Sequence, residues 1–241
     1  MNSSLLNTLS NVIMAFVFGF LGAAVWSYSG LADNRTQSFL LSNPDILPQM
    51  AQAYQDQENA KRLASIGDDL YAPFPGAVIG NPEGGKVLVE FTDYNCPYCE
   101  ASLADVERLV AADPDLKVVI REWPIFEGSD QAARMALAAA MQGKYQAFHK
   151  AMFANGPSTP ESVEAAAEQA GLDLERARAD AASDAVSIEL ARNITLAQSL
   201  GFGGTPAWVT RNRAVEGAIG YEGLQEALES SGEGTSANSS S

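Results

Sequence analysis

The pattern of apolar and polar residues divides the chain into an apolar N-terminal run, a polar segment and a longer region patterned like a folded domain. The run from Val12 to Ala32 contains no charged residue, and its 21 residues are about the number that a helix needs to cross a membrane. We therefore predict a short flank at residues 1–11 and an uncleaved membrane anchor at residues 12–32. A cleaved signal segment is the alternative, because Gly30-Leu31-Ala32 has the small-x-small form of a cleavage site.

Residues 33–75 are predicted to form a helical arm followed by a linker. The arm has a narrow apolar stripe at helical spacing on an otherwise polar helix, formed by Ile46, Leu47, Met50, Ala53 and Tyr54. So narrow a stripe suits a spacer or an association seam better than a core. We therefore expect a homo-oligomer to form through residues 12–66. Glycines and prolines then break the helix, and a short strand is predicted at Ala77 to Ile79.

From Lys86 the pattern becomes that of an α/β domain. KVLVEF is an almost continuous apolar run, typical of a strand covered on both faces, and a helix ending before Pro114 follows it. LKVVIREWPI is predicted to be a second strand, with Val118 and Ile120 on one face and Val119 and Arg121 on the other. Strand, helix and strand together predict a βαβ unit.

The rest of the chain is predicted to be helical to about residue 200 and then to return to strands. AWVT and AVEGAIG are separated by a turn, and the helix GLQEALE follows them. The last residues, 230–241, are rich in serine and glycine and are predicted to be disordered.

Net charge excludes one class of partner. The 241 residues include 30 acidic and 15 basic side chains, so the formal net charge is −15. This is the wrong sign for neutralising a phosphate backbone, and we expect no nucleic-acid partner.

The two cysteines of the chain, Cys96 and Cys99, lie where the first strand of the domain meets its helix. Free N–H groups and the helix dipole favour a thiolate at such a position. Cys96, at an exposed helix start, is the expected attacking sulfur, and Cys99, one turn further on, can close or release a disulfide. Pro97 suits the first helical turn, and Tyr98 completes the motif.

Three other roles for the two cysteines compete with disulfide exchange: a zinc site, a structural disulfide and a Cu(I) site. A structural zinc ion needs four ligands, and the chain offers two cysteines and one histidine, His149, so no metal site is predicted. His149 is interpreted as a half-buried helix residue rather than a catalyst. A structural disulfide over so short a loop would constrain little. Two thiolates alone can hold Cu(I), so a membrane-tethered copper-binding module remains an alternative.

The sequence resembles the DsbA-like branch of the thioredoxin superfamily. The resemblance rests on VLVEFTDYNCPYC, on the Thr205-Pro206 peptide before a late strand, and on the 110 residues that separate Cys96 from Pro206. It implies a thioredoxin fold over residues 76–229 with an inserted helical domain at about 127–200. In this family the late proline is cis and faces the cysteine pair, so Thr205 and Pro206 would line the groove for substrate.

The resemblance also assigns a role to Glu90, six residues before Cys96. It matches the buried acid that exchanges protons with the second cysteine, whereas a strand-end glutamate exposed to water is the alternative. The N-terminal arm resembles that of the suppressor-of-copper-sensitivity and Com1-type subgroup. Tyr98 replaces the histidine of the strongly oxidising members, and Thr205 precedes the proline as in many isomerases and reductases, so the net redox direction stays open.

The function implied is that of a thiol:disulfide oxidoreductase of the bacterial cell envelope. Its catalytic residues would be Cys96, Cys99 and Glu90, and its only redox group the Cys96–Cys99 disulfide, without a diffusible cofactor. Expected partners are cysteine-containing envelope proteins and a membrane redox partner that recharges the pair. The expected location is the periplasmic side of the inner membrane.

Overall fold

The computed structural model describes residues 3–28 and 31–236, with the side chains of residues 11–25 and 36–230. The chain divides into two units, residues 1–55 and residues 56–241. The sheet and both apolar cores belong to the second unit.

The N-terminal region is helical. Helix α1 spans Ser3–Tyr28, α2 spans Leu31–Ser42 and α3 spans Ile46–Ile66. The helical arm thus begins earlier than its apolar stripe suggests, since α2 occupies a stretch without that stripe.

The predicted membrane span at residues 12–32 is not supported. Among the described residues, no helix combines the length and the apolar character needed to cross a membrane. The charge-free run is divided between α1, which also takes in the polar residues Ser10 and Asn11, and α2, which begins at Leu31. Residues 29 and 30 of the predicted span lie outside the described residues.

A five-stranded mixed sheet organises the second unit. Its strands are β1 (Val78–Gly80), β2 (Lys86–Thr92), β3 (Leu116–Glu122), β4 (Ala207–Val209) and β5 (Ala214–Glu216). Their order in the sheet is β1-β3-β2-β4-β5. The central pair, β2 and β3, is parallel, and every other pair is antiparallel. The predicted βαβ unit is therefore present at the centre of the sheet.

Helices cover the sheet and fill the long connection between β3 and β4. They are α4 (Pro97–Ala112), α5 (Asp130–Met141), α6 (Tyr145–Ala154), α7 (Pro160–Gln169), α8 (Leu174–Ala181), α9 (Asp184–Leu200) and α10 (Gly220–Ser236), with a short 3-10 helix at Gly67–Leu70. Helices α5 to α9 stand between β3 and β4, which agrees with the predicted thioredoxin-like α/β fold. The domain boundaries drawn from the sequence stay predictions.

Two apolar cores lie on opposite faces of the sheet. Leu88, Val118 and Ile120 pack in one core, which also contains both cysteines. Val89 and Val119 pack in the other core, with residues of α9 and the end of α3. The alternation follows from the period of two along a strand, and it confirms the two faces predicted for β3.

Helix α10 extends into the segment at residues 230–241 that the sequence predicts to be disordered. Helix α10 continues through Ser236, and Asn212 Nδ2 donates to the Ser230 carbonyl at 3.2 Å. A helix that has already been nucleated gains one backbone hydrogen bond for each residue added, so it can extend into a segment of weak helix formers. Residues 237–241 lie outside the described residues.

Candidate active site

The cysteine pair starts helix α4. Cys96 is the N-cap residue, with φ −90° and ψ 114°, and Pro97 occupies the first helical position, where its fixed φ suits the helix. The Cys96 carbonyl accepts hydrogen bonds from the backbone N–H groups of Cys99, at 3.1 Å, and Glu100, at 3.2 Å. Both cysteines are free thiols. Cys96 therefore stands at the N-terminus of α4, as predicted, although its side chain makes no capping hydrogen bond.

Cys96 is buried, contrary to the expectation of an exposed sulfur. Its side chain is 2% exposed, whereas Tyr98 in the same motif is 64% exposed. Cys96 Sγ donates a hydrogen bond to the Thr205 carbonyl at 3.1 Å. The segment around residue 205 covers the sulfur, and this long-range contact has no signal in the local sequence.

The Thr205–Pro206 peptide bond is cis, and it stands next to the cysteine pair as the resemblance implied. Strand β5 holds this segment in place. The Glu216 carboxylate accepts hydrogen bonds from Gly203 N and Gly204 N, and Gly217 N donates to the Pro206 carbonyl at 2.8 Å. Glu216 is thus a positioning residue that the sequence did not reveal.

Glu90 lies in β2 and is 3% exposed, so the water-exposed alternative is wrong. Burial raises the pKa of Glu90 to about 8. Burial also raises the pKa of the Cys99 thiol, and the nearby charge of Glu90 raises it further. Each group therefore disfavours a negative charge on the other, as expected of two acids that compete for one proton.

Asp93 fixes the loop between β2 and the cysteines. Its Oδ2 accepts hydrogen bonds from Ile125 N at 2.6 Å, Phe126 N at 2.9 Å and the Ser129 hydroxyl at 2.8 Å. Its Oδ1 accepts one from Asn95 N at 2.7 Å. A buried carboxylate satisfied by four donors is a rigid anchor, and here it holds residues 125–129 against the active-site loop.

Asn95 joins the same loop to two further segments. Its Nδ2 donates to the Glu127 carbonyl at 2.8 Å, and its Oδ1 accepts from Ser158 N at 2.7 Å. The polar residues of TDYN, next to the cysteines, are the only sequence feature that points to a role for Asp93 and Asn95. Apart from the Asn95 N–H group that donates to Asp93, their partners lie 32 or more residues away and could not be predicted from the sequence.

A second buried polar cluster lies behind the loop. His149 is 2% exposed rather than half-buried, and its Nδ1 is 2.9 Å from the hydroxyl of Tyr94. Glu122, at the end of β3, is fully buried beside them. Among the described residues, no group of three or more histidine, cysteine or acidic side chains is placed to hold a metal ion.

Two solved structures are similar to this chain in fold and sequence. A thioredoxin-like oxidoreductase from Silicibacter pomeroyi is 44% identical, with a TM-score of 0.66 over 69% of this chain and 98% of that chain. A linker-deletion mutant of Proteus mirabilis ScsC is 28% identical, with a TM-score of 0.67 over 83% of this chain and 92% of that chain.

A curated relative differs greatly in length. The Na(+)/H(+) antiporter NhaA 1 of Salinispora arenicola is 29% identical over 162 residues, which are 66% of this chain and 25% of the relative. The chain thus spans about a quarter of the length of the curated relatives it matches.

A domain profile that matches more than half of the chain identifies its family. The profile of the DSBA-like thioredoxin domain matches residues 87–229, which include both cysteines, the cis-proline and the helices between β3 and β4. This match covers more than half of the chain. The chain therefore belongs to the DSBA-like thioredoxin domain family.

Proposed function

We propose that the chain is a thiol:disulfide oxidoreductase of the bacterial cell envelope that exchanges disulfides with cysteine-containing proteins. One observation carries the proposal: Cys96 Sγ lies at the N-terminus of α4 against the carbonyl before a cis-proline, with Cys99 one turn behind it. Thiols at the first turn of a helix are common attacking groups in disulfide exchange. The raised pKa of Cys99 keeps the second sulfur protonated until it resolves the mixed disulfide.

The exchange needs no diffusible cofactor. In the oxidising direction, a substrate thiolate attacks Cys96 of the Cys96–Cys99 disulfide, and Cys99 leaves with the electron pair of the broken bond. A second substrate thiolate then attacks the mixed disulfide and releases Cys96. In the reducing direction, the Cys96 thiolate attacks a substrate disulfide and one substrate sulfur leaves as a thiolate; Cys99 then attacks Cys96 Sγ of the mixed disulfide, and the second substrate sulfur leaves. The membrane partner that recharges the pair decides which direction dominates.

Thr205 and Pro206 are proposed to line the groove for the substrate chain. Their position against Cys96 supports this, since a peptide whose sulfur is attacked must pass beside them. The exposed ring of Tyr98 stands within the motif, and the half-exposed side chains of Ile125 and Phe126 belong to the loop that Asp93 holds nearby. These three side chains offer apolar contact area to a protein substrate.

Glu90 is proposed to relay the proton of Cys99. Glu90→Gln is expected to slow the steps in which Cys99 ionises, because the amide cannot take up the proton of the thiol. Stopped-flow measurement of exchange with a model disulfide, across neutral pH, checks this prediction. Glu168→Gln, at an exposed glutamate of α7, is the matched control. Unchanged rates in Glu90→Gln would refute the relay.

Glu90→Gln is also expected to stabilise the folded protein above acidic pH. The unfolded chain releases this proton near pH 4.5, whereas the folded chain holds it to about pH 8. Wild-type stability therefore falls as pH rises through this window, and the amide removes that loss of a few kcal/mol. Urea denaturation at pH 4 and pH 8 measures the difference, which should be small at the lower pH.

The envelope location is proposed from two sequence features. These are the charge-free run at residues 12–32 and a reactive cysteine pair suited to an oxidising compartment. Protease added to spheroplasts is expected to digest residues 33–241 while a cytoplasmic marker stays intact. Complete protection would exclude the location. N-terminal sequencing of the mature protein distinguishes retention of residues 12–32 from their removal.

A further inference from the structure

A second buried carboxyl group lies on the strand next to Glu90. In the parallel register, Glu90 is opposite Ile120 and Thr92 is opposite Glu122. Residues two apart in a strand point to the same face, so Glu90, Ile120 and Glu122 share one face of the sheet. Ile120 belongs to the core that contains both cysteines. Glu122 is thus a diagonal neighbour of the proposed proton relay.

Two tyrosines hold Glu122, and a histidine contacts the hydroxyls of both tyrosines. The hydroxyls of Tyr94 and Tyr145 donate to its Oε1 at 3.0 Å and 2.6 Å. The same hydroxyls lie 2.9 Å and 3.3 Å from Nδ1 of His149. The other carboxyl oxygen, Oε2, is buried and has no hydrogen-bond partner among the described residues. An unpaired buried oxygen favours the neutral carboxylic acid, because only the charged form needs both oxygens solvated.

The hydrogen bonds of this cluster fit two protonation states. With Glu122 ionised, both hydroxyls donate to Oε1, and His149 donates from Nδ1 to Tyr94. With Glu122 protonated, Oε1 donates to the Tyr145 hydroxyl, which turns its own hydrogen to the bare Nδ1 of His149, while the Tyr94 hydroxyl still donates to Oε1. Both hydroxyls and Nδ1 keep a partner in each state, since a hydroxyl can donate and accept and a neutral imidazole has two tautomers. The cluster can therefore take up or release a proton without repacking.

The charges around Glu122 come from several elements. Glu90 lies on β2, Asp93 follows it in the next loop, and Cys99 lies on α4 beyond Glu90. On β3 itself, Arg121 turns to the opposite face, where it pairs with Glu189 of α9.

The remaining neighbours of Glu122 are neutral. Asn193 of α9 donates to the backbone carbonyl of Glu122 at 3.1 Å, not to its carboxylate. Tyr94 and Tyr145 are held as neutral phenols, because burial raises the pKa of each. Burial lowers the pKa of His149 to about 3, so the ring is neutral at physiological pH.

We propose that Glu122 is a second proton-holding group of the redox centre and sets the pH at which Glu90 is free to take the proton of Cys99. The step transfers one proton from Cys99 Sγ to the Glu90 carboxylate, so Glu90 must first be ionised. Two carboxyl groups in one buried region compete for the same proton, because a negative charge on either group raises the pKa of the other. Glu122 acts through Glu90 and is therefore a positioning residue.

The protonation of Glu122 is expected to show this coupling directly. Burial raises the pKa of Glu122 to about 8; the two tyrosine hydroxyls oppose the rise, and the charges of Asp93 and Glu90 add to it. In the reduced full chain carrying 13C-labelled glutamate carboxyls, two buried carboxyls should titrate near pH 8 by NMR. Glu90→Gln should leave one of them and lower its midpoint by about 1 pH unit. Tyr94→Phe should raise the midpoint of Glu122, because one donor to its charged form is lost.

The effect of Glu122 on catalysis rests on the proposed function, and it is measured separately by the pH profile of disulfide exchange. Glu122→Gln should move the pH profile of disulfide exchange about 1 pH unit lower, since a permanently neutral neighbour lets Glu90 ionise earlier. Glu168→Gln should leave the profile in place. The inference is overturned if Glu122 titrates near pH 4.5, or if Glu90→Gln leaves its midpoint unchanged. Absence of exchange by the wild-type protein would instead overturn the proposed function, whatever the titration shows.

Discussion

Alanine at Cys96 is expected to abolish disulfide exchange, whereas alanine at Cys99 is expected to trap substrates covalently. Cys96 starts α4, and it contacts the segment that lines the proposed groove. Cys99 lies one turn inside, and its raised pKa suits a resolving thiol. Cys99→Ala therefore keeps attack and loses resolution. Non-reducing gels of alkylated envelope extracts should show adducts that vanish on reduction, and almost none in Cys96→Ala.

The same two variants separate the oxidoreductase from the copper-binding alternative. A two-coordinate Cu(I) site needs both thiolates, so each variant would lose tight Cu(I) binding about equally and neither would form protein adducts. Cu(I) titration of the two purified variants, beside the gels, gives this comparison. Equal behaviour of the two variants in the gels would contradict the division of roles between Cys96 and Cys99.

The central sheet could be predicted because each strand carries its own local pattern. Val118 and Val119 were assigned to opposite faces from the period of a strand alone, and they pack in different cores. The N-terminal helices were harder to predict. The apolar run at residues 12–32 indicates the length of an apolar helical segment, but it does not determine where one helix ends and the next begins.

The site was predictable where chemistry follows sequence spacing. The cysteine pair came from its position between strand and helix, and the cis-proline and the burial of Glu90 came from the family resemblance. What could not be predicted depends on contacts between distant residues. Tyr94 and His149 lie 55 positions apart, and Asn95 and Ser158 lie 63 apart. No local period signals such pairs, so the buried position of Cys96 and the cluster around Glu122 emerged only from the fold.

Arg121 shows the same limit, and its replacement is expected to give the largest loss of stability. Its side chain is completely buried, and its Nη1 pairs with Glu189 Oε1 at 2.6 Å. Its Nη2 donates to the carbonyls of Asp69, Leu70 and Ala72 at 2.8, 3.0 and 2.6 Å. One guanidinium thus ties β3 to α9 and to the segment that enters the sheet. In the sequence it was only a charged residue in an apolar strand.

Arg121→Met is expected to lower the free energy of unfolding by about 3–5 kcal/mol, because it leaves the buried Glu189 carboxylate with only the more distant Arg192 at 3.7 Å and removes the donor to three carbonyls. For a domain of this size the fall in Tm is on the order of 10 °C, measurable by calorimetry. Arg178→Met is the matched control, since Arg178 pairs with Glu164 at the same 2.6 Å but both side chains are more than half exposed. It should cost less than about 1 kcal/mol. In the double variant Arg121→Met with Glu189→Leu, the poorly paired buried carboxylate is gone, and part of the lost stability should return. A loss in Arg121→Met no larger than that of the control would show that the buried pair does not hold these elements together.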